Sequence, residues 1–393
     1  MPGDPDVRSS LWEVARLFLK LSVLSFGGPA GHIALMEDEV VARRGWLSRE
    51  RFLDLVGATN LIPGPNAAEM AIHIGYLRCG WLGLLAAGAS FIVPAALITT
   101  AIAWAYVRYG ALPQVAPFLA GAKPAVLAVI LVAVLRLGRT ALKSGHLAAV
   151  GAAVLAGAMA GLNEVLLLFA GGLAGMLWLA HGSASTAPPP ASPALAIVPW
   201  GISSRVLATG AAAGAAAGVS LWALGLFFLK VGAVLYGSGY VLVAFLEGGL
   251  VREFGWLTQQ QLLDAIAAGQ VTPGPLLSTA AFVGYVLRGG AGAAVATAAV
   301  FLPSFVFVVL LSPVVPRLRK SRWSAAFLDS VNVASVALML AVGARLGGET
   351  LTRWTSWAIA AVALAAGVRW RVNSAWLILG GAALGGLLGR WAG

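Results

Sequence analysis

With 393 residues, 60% of them hydrophobic and 10% charged, the chain has more apolar surface than one soluble core can hide, so its composition reads as a polytopic helical membrane protein. Forty-nine glycines suit close helix packing and broken helices, and the alternating strands of a membrane barrel are not found. The net charge of +11 lies beside apolar segments, which argues for lipid headgroups rather than nucleic acid, and a lone cysteine, Cys79, excludes internal disulfides and cysteine-rich metal sites.

The N-terminus shows no cleavable signal pattern, because the apolar segment that follows carries Glu13, Arg16 and Lys20. Leu11 to Phe26 either crosses the bilayer or stops at Gly27-Gly28-Pro29. Segments 30–44, 49–62 and 64–78 are each too short to cross about 30 Å of hydrocarbon at about 1.5 Å per residue. Interrupted at Gly27-Gly28-Pro29 and Pro63-Gly64-Pro65, they read as half-helices and re-entrant hairpins. Ordinary spans follow at roughly 80–107, 114–136, 146–162 and 164–180. Residues 183–205, with Pro188-Pro189-Pro190, form a proline-rich linker.

Beyond the linker the pattern returns about 210 residues later. Phe18-Leu19-Lys20 recurs as Phe228-Leu229-Lys230, Gly45-Trp46-Leu47 as Gly255-Trp256-Leu257, Asp54 as Asp264, Pro63-Gly64-Pro65 as Pro273-Gly274-Pro275, and Arg78 as Arg288. Spans are again expected at roughly 290–312, 324–344, 354–368 and 373–389. The domains are therefore a first repeat, 1–182, the linker, and a second repeat, 206–393. Duplication of this kind in a membrane protein builds transporters, with the substrate site where the repeats meet.

Basic residues orient the chain. Arg43, Arg44, Arg49, Arg51, Arg78, Arg136, Arg139 and Lys143 fit a cytoplasmic face of the first repeat, whereas the dense cluster of the second repeat, Arg317, Arg319, Lys320 and Arg322, falls one crossing later. The second repeat is expected upside down, with an extra crossing between Val206 and Tyr236, the N-terminus inside and the C-terminus outside.

A break inside lipid must be buried in protein or line a wet cavity, and the half-helix N-termini it creates offer unpaired N–H groups and partial positive charge to an anion. Breaks of this kind flank Gly27 and Gly28, Pro63, Gly64 and Pro65, and Pro273, Gly274 and Pro275; a matched pair inside apolar sequence favours a site over two sharp loops. Lys20 and Lys230, each in an apolar helix before a break, can neutralise a dianion or snorkel to headgroups. Asn60, Asn66, Gln270, Thr272, Ser278 and Thr279 can donate hydrogen bonds to an oxyanion or cap the broken helices. Glu37 with Glu247, Glu69, His32 and His73 are candidates for proton coupling, set against the plainer reading of Glu37-Asp38-Glu39 as a solvated face paired to Arg43 and Arg44. Lys123 has no basic counterpart, the aligned residue being Asn332.

Phe26-Gly27-Gly28-Pro29-Ala30-Gly31-His32, the Gly45-Trp46-Leu47 turn, Asn60-Leu61-Ile62-Pro63-Gly64-Pro65-Asn66 and Gly75-Tyr76, each with an altered echo in the second half, resemble the chromate ion transporter family in its long two-domain form. The resemblance covers nearly the whole chain outside the linker. It implies a multi-pass plasma-membrane carrier that expels chromate, with sulfate as the look-alike, driven by membrane potential or proton antiport and conferring chromate resistance. Gly28-Pro29 becomes Ser238-Gly239 and Asn60 becomes Gln270, so equal roles for the two halves do not follow. The expected partners are a tetrahedral oxyanion, the bilayer and a second copy in a homodimer; no cofactor, metal or nucleic acid is expected. A sulfate import permease and a lipid scramblase stay open as alternatives. A membrane-embedded enzyme does not fit, since no H-E-x-x-H, paired aspartate or Ser-His-Asp pattern is recognisable.

Overall fold

The computed structural model describes residues 10–25, 29–181, 219–236, 239–311 and 321–391. The described residues are helical with no strand, and the helices fall into two matching sets of seven. Gly27 and Gly28, the whole linker, Arg317, Arg319 and Lys320 lie outside the described residues, as does the first part of the segment expected to hold an extra crossing.

Helix α1 (Leu11–Leu24) begins with a capping box: the Ser10 hydroxyl accepts from the Glu13 N–H, and the Glu13 carboxylate accepts from the Ser10 N–H. Val14, Leu17, Phe18 and Leu21, at helical spacing, form its buried stripe. Fourteen residues span only about 21 Å, less than the hydrocarbon thickness, and α1 ends at Leu24. Its counterpart α8 (Leu221–Val234) buries Leu224, Phe227, Phe228 and Val231, the equivalent face.

In the first repeat α2 (Pro29–Glu37) runs into a π-helical turn, Asp38–Arg43. In the second, a 3-10 turn (Gly239–Val241) and short α9 (Leu242–Leu246) run into π-helical Glu247–Glu253. Both turns end on a left-handed glycine, Gly45 at φ 60° and Gly255 at φ 62°. The next residue closes the turn: Trp46 N–H donates to Val40 C=O and Trp256 N–H to Leu250 C=O, both at 2.8 Å. The recurring Gly-Trp-Leu is thus a backbone requirement, since only glycine takes that φ without cost.

Helices α3 (Arg49–Thr59) and α10 (Gln259–Val271) lead to the Pro-Gly-Pro breaks. Beyond them lie α4 (Asn66–Tyr109) and α11 (Thr279–Leu311), the latter preceded by a 3-10 turn, Leu276–Ser278. Neither α4 nor α11 is one helix in space. The backbone leaves helical geometry at Cys79–Gly80 and at Arg288–Gly289, and the chain folds back so closely that a Cβ on Gly75 would lie 2.5 Å from Ala87 Cβ and one on Gly284 would lie 2.6 Å from the Gly292 carbonyl carbon. The half-helices read from the sequence are therefore present, each separated by this bend from the longer helix that follows. The pairing of Arg78 with Arg288 is corrected: the stretch from Pro-Gly-Pro to the bend is one residue shorter in the second repeat, so Arg288 occupies the bend position of Cys79.

Helices α5 (Ala116–Ala141), α6 (Gly145–Met159) and α7 (Glu164–His181) match α12 (Arg322–Thr350), α13 (Trp354–Arg369) and α14 (Ser374–Trp391). They interlock across the repeats: α5 packs against α13 and α14, α12 against α6 and α7, and α5 against α12. Small residues permit this approach; a Cβ on Gly385 would sit 2.5 Å from Gly121 Cα. Four helical stretches, Asn66–Tyr109, Ala116–Ala141, Leu276–Leu311 and Arg322–Thr350, are long and apolar enough to cross a membrane. Trp12, Trp222, Trp354, Trp370 and Trp376 are exposed near helix ends, where aromatic rings anchor a protein at the bilayer interface.

Candidate functional site

Both Pro-Gly-Pro breaks are fully buried in protein. Gly64 takes φ 145° and Gly274 φ 96°, values open to glycine and strained for other residues. Each break is sealed by the opposite repeat. Gly64 N–H donates to Leu235 C=O at 2.7 Å, just beyond α8, and Gly274 N–H donates to Ser25 C=O at 3.0 Å, just beyond α1. Leu235 and Ser25 are equivalent residues, so the two bonds form a reciprocal pair across the repeat interface. These bonds satisfy an N–H at each buried break that would otherwise be left unpaired.

The side chains around the two breaks differ. At the first, a Cβ on Gly64 would collide with Glu69 Oε1 and lie 2.6 Å from Ser304 Oγ, a residue of the other repeat. Glu69 is 0% exposed, and its carboxyl lies beside the Ser304 hydroxyl. Asn66 Nδ2 donates to Asn60 Oδ1 at 2.5 Å, so these two amides satisfy each other. At the second break a Cβ on Gly274 would lie 2.7 Å from Ala95 Cβ and 3.3 Å from Ser22 Oγ. Thr99 Oγ1 and Ser278 Oγ are 3.2 Å apart, Thr272 Oγ1 donates to Ala268 C=O, and Thr279 Oγ1 donates to Leu276 C=O, each of the latter at 2.8 Å. Gln270 is buried beside Tyr240.

The lysines sit elsewhere. Lys20 Nζ pairs with Glu39 at 2.6 Å, and its side chain is 45% exposed. With Glu13, Arg16 and Arg44 it lines a surface groove of about 570 Å³. Arg44 also reaches Glu39, at 3.3 Å. Glu39 lies outside the spans; the Lys20 hydrogen bond, reinforced by Lys20 and Arg44 charge, holds its carboxyl below the ordinary value of 4.5 although burial pushes the other way. Lys230 is half-buried on α8. Glu37 pairs with Arg49 at 3.3 Å on the exposed face. His32 is buried edge-on against Phe91, and His73 is buried within α4. Arg78 and Arg44 lie over the Trp46 ring at 5.1 and 5.4 Å.

Glu247 belongs to a buried network rather than to the breaks. Arg345 donates to Glu247 Oε2 at 3.1 Å and to Ala158 C=O, and nearby Arg252 pairs with Glu164 at 3.2 Å. In the equivalent place Arg136 donates to Gly367 C=O at 2.8 Å. Lys123 finds its partner in Asp264 at 3.6 Å, which also accepts from Tyr106 Oη at 3.0 Å. Arg345, Glu164, Ser22, Ser25, Thr99 and Ser304 were not singled out by sequence reasoning. The only signal in the sequence was the alignment of Arg136 with Arg345 and of Pro94 with Pro303, which sets Ala95 against Ser304.

The profile of the family described as "Chromate transporter" matches residues 12–176 and again 222–386. The chain is 31% identical to a "Chromate transport protein" of Cupriavidus metallidurans, in an alignment covering 96% of this chain and 93% of the relative. It is 32% identical to a "Chromate transport protein" of Pseudomonas aeruginosa, over 89% of this chain and 84% of that protein. No solved structure matches.

Proposed function

The chain belongs to the chromate transporter family, and from that premise we propose that it carries chromate out of the cell across the plasma membrane, giving chromate resistance. The observation that carries this reading is the reciprocal pair of backbone bonds, Gly64 to Leu235 and Gly274 to Ser25. It brings two buried helix breaks to the interface of two repeats, the arrangement in which carriers hold ions and alternate access. The repeats are oriented oppositely in the bilayer, with the N-terminus in the cytoplasm and the C-terminus outside. Lys20, with Arg16 and Arg44 in the surface groove, collects oxyanions on the cytoplasmic side, and Lys230 serves from α8. Sulfate, a tetrahedral dianion of the same charge, competes.

Export needs little help. A dianion leaving a cell whose interior is about 100 mV negative gains roughly 4.6 kcal/mol from the field, or about three decades of concentration. Import of the same dianion driven by the potential would need more than two protons per cycle. Membrane potential is therefore the primary drive, with proton antiport able to add to it.

The test is chromate uptake by everted membrane vesicles with and without the protein, energised and then uncoupled. Protein-dependent accumulation that collapses with the potential and is competed by sulfate supports the reading; collapse on removing only the pH gradient assigns proton antiport. Vesicles containing folded protein that move no chromate would exclude it.

A further inference from the structure

The two breaks are built alike in backbone and oppositely in side chains. Counted from the matched Gly75 and Gly284 contacts, the helical position of Glu69 in the first repeat is held by Ser278 in the second. Pro94 and Pro303 fix a second exchange: Ser304, which faces the first break, corresponds to Ala95, which faces the second. A carboxyl therefore sits where the first arm of α4 begins, and the Ser278 hydroxyl takes its place where α11 begins.

We propose, resting on the oxyanion reading above, that the substrate binds at the second break alone, in a cradle of neutral donors formed by Ser22, Ser25, Gln270 and Ser278 around Gly274. Ser22 and Ser25 are 0% and 1% exposed, and neither hydroxyl has a hydrogen-bond partner among the described residues. Ser22 Oγ points at Gly274, 3.3 Å from where a Cβ would stand, and Ser25 accepts the Gly274 N–H through its carbonyl. Gln270 is 7% exposed and lies beside the Tyr240 hydroxyl, and the Ser278 hydroxyl stands 3.2 Å from that of Thr99. These donors come from both repeats: α1 and the residue after it on one side, α10 and the turn opening α11 on the other.

A tetrahedral oxyanion is all acceptor, so the buried Ser22 and Ser25 hydroxyls, which have no partner of their own among the described residues, match it, and the N-terminal end of α11 adds partial positive charge. At the first break the Glu69 carboxyl fills the corresponding space. Ionised, it repels a dianion; neutral, it still occupies the position. Each chain accordingly holds one oxyanion, at a site completed by both repeats.

Chromate binding to the full-length protein in lipid nanodiscs, followed by equilibrium dialysis and chromate absorbance, tests this. The wild type saturates at one chromate per chain; Ser22→Ala combined with Ser25→Ala raises Kd at least tenfold, and Ser304→Ala changes it less than twofold. If the double variant aggregates, Gln270→Glu, which places a charge in the cradle, carries the test and abolishes binding. Two chromates per chain, or unchanged Kd in the cradle variants, overturns the inference while leaving the carrier reading intact. A folded wild type that binds no chromate overturns both.

Discussion

Arg345 and Arg136 show what one side chain contributes when its surroundings change. Both donate to the carbonyl of an equivalent residue in the opposite repeat, Ala158 and Gly367, so each ties the two repeats together. Arg345 has a second task, because Glu247 beside it is 0% exposed. Removing a partner from a buried ion pair costs about 3–5 kcal/mol, mostly through the stranded charge, whereas loss of one exposed hydrogen bond costs about 1 kcal/mol. Arg345→Ala is therefore expected to destabilise the protein by about 3–5 kcal/mol in mixed-micelle unfolding, and Arg136→Ala by about 1 kcal/mol. Adding Glu247→Gln to Arg345→Ala should restore part of the loss; no recovery would mean that the network is not held by charge. Residues whose role is dictated by the backbone were legible in the sequence: Gly64, Gly274, Gly45 and Gly255 each satisfy a φ that few residues accept. Ser22 and Ser25 were not, since a serine in an apolar helix carries no periodic signal and acquires meaning only from the break it faces. The ion pair of Lys20 with Glu39, nineteen residues on, has no local signature, so the sequence leaves Lys20 open between a ligand role and snorkelling to headgroups.

At the scale of elements, prolines and glycines punctuate the chain so strongly that the half-helices and folded-back arms could be read from sequence to within a few residues. The difference between the two hairpins could not, because it depends on packing. Helix α10 buries most of its length against α5, α11 and α14, and Asp264 joins it to Tyr106 of α4 and Lys123 of α5. Its counterpart α3 buries Phe52, Ala58 and Thr59 and packs on α4 and α2. Asp264 thus latches the second hairpin to both α4 and α5. Asp264→Asn weakens the latch by about 1–3 kcal/mol, which corresponds to roughly five- to 150-fold faster amide hydrogen exchange in α10. Exchange in α3 should stay as it is. Uniform acceleration of both hairpins would show a global loss of stability and no latch.

The whole molecule is two repeats that cannot be pulled apart without exposing both. The duplication was legible in the sequence, yet nothing there signalled that α5 would pack on α13 and α14 while α12 packs on α6 and α7. Contacts between distant helices are set by small residues such as Gly121 and Gly385, which look ordinary until they are placed face to face. The proposed opposite orientation of these interlocked repeats would let one break-centred site open alternately to either side, and it is the central claim. Glu50 and Gln260, both exposed, are equivalent residues at the start of α3 and α10. The direct measurement introduces Glu50→Cys or Gln260→Cys into a Cys79→Ser background and compares labelling by a membrane-impermeant thiol reagent in intact cells and in everted vesicles. Opposite repeats predict that position 260 is labelled in cells and position 50 in everted vesicles; labelling of both positions from the same side would contradict the account.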